Sequence, residues 1–92
     1  MNPETLKQQL LDQGFKHVYE WKDEPNTVYA EHKHKGRVSL YVVNGSVAFS
    51  GEINKKLGAG ERFDVPVGLK HSAVVGPEGC DWIVGEEIEG DS

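Results

Sequence analysis

Apolar and polar residues alternate along most of this chain, and one stretch departs from that period. Between positions 3 and 13, Leu6, Leu10 and Leu11 fall at i, i+4 and i+5, with Lys7, Gln8, Gln9 and Asp12 between them. That spacing gathers the leucines on one side of a helix. Asn2 offers a capping oxygen, Pro3 suits the first helical position, Glu4 favours the first turn and Gly14 suits the stop. One short helix of this kind serves to cover the outside of a sheet.

From Phe15 onward the period is two. Phe15, His17, Tyr19 and Trp21 share one face of a predicted strand, and Lys22-Asp23-Glu24-Pro25-Asn26 reads as a turn with solvated charges. Val38, Leu40 and Val42 alternate with Ser39, Tyr41 and Val43. Asn44-Gly45 then predicts a tight hairpin, with Ser46 to Ser50 returning. Gly51 to Ala59 reads as a turn or short excursion, and Gly76-Pro77-Glu78-Gly79 as a further turn. Strands are predicted to begin near residues 15, 27, 37, 46, 61, 70 and 81. Many short strands at regular spacing predict an all-β sandwich or barrel.

Length and composition sharpen this. A chain of 92 residues builds one modest core, divided here into a helical segment 1–14, a barrel 15–88 and an acidic tail 89–92 expected to fray. A formal net charge of −5 argues against a nucleic-acid partner. No run of apolar residues is long enough to span a membrane. Met1-Asn2-Pro3-Glu4 does not open a secretory signal, so the expected compartment is the cytoplasm. The single cysteine, Cys80, cannot form an internal disulfide and reads as an ordinary strand-edge residue. Trp21, Trp82 and Tyr41 are assigned to core or subunit interface rather than to a ligand-stacking wall.

The candidate chemistry lies in two spacings. On a strand, His32 and His34 share a face with their Cα atoms about 6.5–7 Å apart. Both imidazoles can then lean onto one metal at about 2.0–2.1 Å per nitrogen. Alternation puts Val28, Ala30, His32 and His34 on that face, and Tyr29, Glu31 and Lys33 on the other. Further on stands Gly60-x5-Pro66-x-Gly68-x2-His71. Pro66 and Gly68 build a rigid turn, and His71 opens the next strand at a fixed position. His17, set among aromatics, reads as a surface or partly buried side chain and not as a ligand.

Together these residues resemble the cupin superfamily, whose two motifs read G-x5-H-x-H-x3,4-E-x6-G and G-x5-P-x-G-x2-H-x3-N. His32, His34 and Gly45 match the first, and Gly60, Pro66, Gly68 and His71 the second. The resemblance runs from about Asn26 to Val75, with fourteen residues between Gly45 and Gly60, as in small bacterial single-domain cupins. Asn26 replaces the leading glycine, Val75 the last asparagine, and Val38 the glutamate. The resemblance implies a small jelly-roll barrel with the short helix outside, a homodimer, and a site in the interior that admits a small molecule. It also implies metal ligands reduced to His32, His34 and His71, since Glu31 faces away and the direction of Glu86 depends on strand register. Val38→Glu would restore the family pattern. Without the carboxylate a dication keeps its full charge, which favours an anionic or oxygen-rich ligand. The set resembles the three-histidine iron sites of thiol dioxygenases, and zinc, nickel and copper also accept imidazole. No general base stands out. Three functions follow: metal-dependent handling of a small molecule, a binding or sensing module without turnover, and a metal-free dimeric scaffold.

Overall fold

Asn2 accepts the Glu4 amide at 3.0 Å through its side-chain oxygen, and helix α1 (Pro3–Asp12) starts there as the capping pattern predicts. The computed structural model describes residues 2–91, so Met1 and Ser92, the outermost residues of the helical segment and the tail, lie outside them. Six strands follow among the described residues: β1 (His17–Asp23), β2 (Val28–His32), β3 (Val38–Gly51), β4 (Lys55–Gly58), β5 (Arg62–Val65) and β6 (His71–Glu86). No helix among them is long and apolar enough to cross a membrane.

The two long strands organise the rest. β3 and β6 pair antiparallel from Val38↔Glu86 to Gly51↔His71. β6 carries β2 along its first half and β1 along its second, while β3 carries β5 along its first half and β4 along its second. The shared sheet therefore bends across its middle into two facing walls, the architecture of a small jelly-roll barrel.

The bend overturns two expected turns. Asn44-Gly45 makes no hairpin: β3 runs straight through it, with register shifts between Val42 and Asn44 and between Gly45 and Val47. Gly45 has φ +84°, and a Cβ there would press into the carbonyl oxygen of Gly79. The left-handed conformation that suits a hairpin also suits a bulge, and here it kinks a continuing strand. Gly76-Pro77-Glu78-Gly79 likewise lies inside β6. The predicted starts near 46 and 81 are thus strand interiors, and β4 forms within the segment read as a turn.

Two apolar layers result. Alternation sends Trp82 and Val84 of β6 into the barrel and Ile83 outward beneath the helix, against Leu6 and Leu10. Leu11 stays exposed. Phe15 does not share a face with Tyr19 and Trp21. It precedes β1 and packs under the helix with Leu10 and Ile83. The described part of the tail, and the residues that lead into it, are tied to the β2–β3 connection. Glu87 N donates to the Arg37 carbonyl at 2.9 Å, and Arg37 Nε donates to the Glu87 carboxylate at 3.2 Å. The Asp91 carboxylate accepts the amides of Lys35 and Gly36 at 3.0 and 2.9 Å.

Candidate metal centre

β2 does not alternate as the sequence suggests. A bulge between Tyr29 and His32 resets its faces, so Tyr29 and His32 turn toward the interior while Val28 is 70% exposed. β2 ends at His32, and His34 lies beyond it in the connection to β3. The shared face of the two histidines is therefore a product of the bulge and the loop, not of a regular strand. His71 opens β6 directly opposite His32. The Pro66–Gly68 turn is tied to the first histidine pair, because Gly68 N donates to the His34 carbonyl at 3.0 Å.

The three rings converge, with centroids 4.4 to 5.1 Å apart. One ligand nitrogen from each lies within 4.8 Å of the others, close enough to hold a single ion. Each ring is also steered from behind. His32 Nδ1 meets the Ala30 carbonyl at 2.7 Å, His34 Nδ1 the Asp91 carbonyl at 2.7 Å, and His71 Nδ1 the Leu69 carbonyl at 2.9 Å. A carbonyl only accepts, so each Nδ1 carries the hydrogen and each Nε2 presents a lone pair. His71 is 1% exposed. Burial holds its pKa below the ordinary 6.5 against the pull of the Leu69 carbonyl, and the neighbouring His32 and His34 lower it further. Three lone pairs converging on one point repel, and a cation between them would relieve that repulsion.

A cavity of about 840 Å³ opens from this cluster into the barrel. Val38, at the position of the missing family glutamate, lies on its wall and is buried among apolar side chains. Directly across from Val38 on β6 stands Glu86, buried and lining the same cavity. Its Oε2 accepts the Tyr19 hydroxyl at 2.9 Å and its Oε1 accepts Gly90 N at 3.2 Å. Glu86 is outside the three-histidine group. The alternation Trp82, Val84, Glu86 carries its inward direction once Trp82 is known to be core. Glu31 is exposed, as strand alternation has it.

Asp23 corrects the reading of residues 22–26 as a solvated turn. It ends β1, is buried, and accepts Tyr29 OH at 2.7 Å, Trp82 Nε1 at 2.9 Å and Trp21 Nε1 at 3.1 Å. Burial, with the Asp23 carboxylate beside it, pushes the Tyr29 phenol up to about 12. Burial also pushes the Cys80 thiol to about 12, helped by Asp23 and Asp81, which disfavours the thiolate. The aromatics go separate ways: Trp82 is core, Tyr41 donates to Gln9 on the helix at 2.9 Å, and Trp21 is half exposed. His17 stands apart from the cluster, 3.9 Å from the Glu89 carboxylate.

The sequence matches no protein-family model and no curated protein. The structure does find relatives. An RmlC-like cupin from Shewanella frigidimarina superposes with a TM-score of 0.68 and 26% identity, over 80% of this chain and 68% of that one. The chain belongs to the cupin superfamily. Two further structures share the cupin fold. KdgF from a Halomonas species matches at TM-score 0.66 and 23% identity, over 80% of this cupin and 70% of that chain. Oxalate decarboxylase from Bacillus subtilis, described with Mn(II) centres, matches at TM-score 0.66 and 24% identity, over 82% of this cupin but only 22% of that chain.

Proposed function

We propose that this cupin binds a divalent metal ion through Nε2 of His32, His34 and His71 and handles a small, anionic or oxygen-rich molecule in the barrel interior. The observation that carries the reading is the set of three Nδ1-to-carbonyl hydrogen bonds behind three converging rings. Those bonds select the tautomer that a metal requires and fix the ring planes before an ion arrives. The donor set fits zinc, iron, nickel or copper. The manganese centres of oxalate decarboxylase, a protein of the same fold, support a metal in this type of barrel. Bound here, the ion supplies a Lewis-acid or redox-active centre with open positions. The protein's own part is to hold it, with Phe49 packed beside His71, and to leave its charge uncompensated. We place the protein in the cytoplasm as a homodimer. Elemental analysis of protein purified without a histidine tag tests the reading. About one transition-metal ion per chain is expected. A metal-free protein that takes up none on incubation contradicts it.

A further inference from the structure

The three histidines are not supported in the same way. His32 Nδ1 donates to the carbonyl of Ala30, and His71 Nδ1 to that of Leu69, each two residues earlier in the chain. Such a support travels with its ligand. His34 Nδ1 donates instead to the Asp91 carbonyl, 57 residues away. Asp91 is seated in turn by its carboxylate, which accepts the amides of Lys35 and Gly36, the two residues after His34. Residues 87–90 are exposed, and Ile88, their one large apolar side chain, is 45% exposed. Segment 87–91 is therefore held by polar ties near the surface and by little apolar burial. Each such tie contributes little, so the segment opens at far lower cost than the sheet. Glu89 and Gly90 of the same segment line the cavity.

We propose that segment 87–91 is a strap whose docking completes the metal centre, with Asp91 as the residue that positions His34. The proposal rests on the metal reading above. With the strap docked, all three rings present Nε2 toward one point. With it lifted, His34 loses the carbonyl that orients its ring and selects its tautomer, and only the locally supported pair stays fixed. Linkage makes the effect reciprocal: the factor that docking adds to metal affinity is the factor that metal adds to docking. Metal capture then also draws in the part of the cavity wall that Glu89 and Gly90 supply.

The test uses the full chain and Zn(II) alone, in two measurements. Zinc affinity is read by competition with a chromophoric chelator for wild type, Asp91→Ala and Asp91→Asn. Asp91→Ala keeps its carbonyl but loses both amide ties, and is expected to bind zinc about fivefold to tenfold more weakly. Oδ2 of Asp91 accepts both amides, and the side-chain oxygen of Asp91→Asn can take its place. Its affinity should stay within about threefold of wild type. Hydrogen exchange at the amides of Lys35, Gly36 and Asp91 is then followed in wild type, and saturating zinc should slow it about fivefold or more. Equal zinc affinity of wild type and folded Asp91→Ala overturns the proposal and leaves the metal reading standing. A loss in Asp91→Asn as large as in Asp91→Ala assigns the effect to charge and also overturns it. Failure of wild type to hold zinc removes the metal reading and the proposal together. Should Asp91→Ala not fold, exchange in wild type decides, and no slowing by zinc overturns the proposal.

Discussion

Protonation of the buried His71 bears on folding. Its folded pKa lies below 6.5, chiefly because burial disfavours the charged ring. The unfolded chain therefore takes up this proton more readily than the folded one. The contribution to stability is present in full above about pH 6.5 and is lost as pH falls from there toward the folded value. Urea unfolding of the metal-free protein between about pH 7.5 and about pH 5.5 should show falling stability, and a flatter profile in His71→Gln. Equal slopes contradict this. Val38 carries a second prediction. By motif alone, Val38→Glu restores the family ligand. In the folded protein it adds a carboxylate directly across from Glu86, inside the barrel. Val38→Glu should lose about 2 kcal/mol or more in urea unfolding, and part should return when Glu86→Gln is added. An undiminished single variant would mean that the two side chains do not meet. The motif spacing identified Val38 as the gap, but only strand pairing reveals what fills the space beside it.

Strand continuity was the hardest feature to read. Asn44-Gly45 has the chemistry of a hairpin because both hairpins and bulges use a residue with positive φ. What separates them is the partner: β6 lies alongside on both sides of Gly45, and no local pattern encodes that. The face assignment of β2 failed for the same reason, since one bulge reverses every residue before it. The helix and its cap were legible, being set by neighbours in sequence. Gly45 tests the bend. Gly45→Ala must adopt φ +84° and displace the Gly79 carbonyl. A loss of about 2–4 kcal/mol is expected. Gly68 has φ +78° with open space around it. Gly68→Ala should cost only the backbone term, about 1–2 kcal/mol. Tryptophan fluorescence in urea measures both, and equal losses would contradict the packing argument.

The chain as a fold brings its two motifs together from opposite ends of the long β3–β6 pair, and Asp91 then closes against the result. Asp91 supplies the carbonyl behind His34 and anchors the loop that carries it. An acidic, glycine-containing tail reads as frayed because its partners, the amides of Lys35 and Gly36, are more than fifty residues away. The convergence of His32, His34 and His71, by contrast, was legible from motif spacing, because a rigid turn and a strand start fix where His71 falls. The most direct test is anaerobic titration of wild type and of the His32→Ala, His34→Ala, His71→Ala and His17→Ala variants with Zn(II), Fe(II) and Ni(II). Removing any cluster histidine leaves two ligands, so those three variants should lose affinity by about tenfold or more while remaining folded. His17→Ala should bind as wild type does. Equal binding by wild type and His71→Ala would contradict a metal centre built on these three rings.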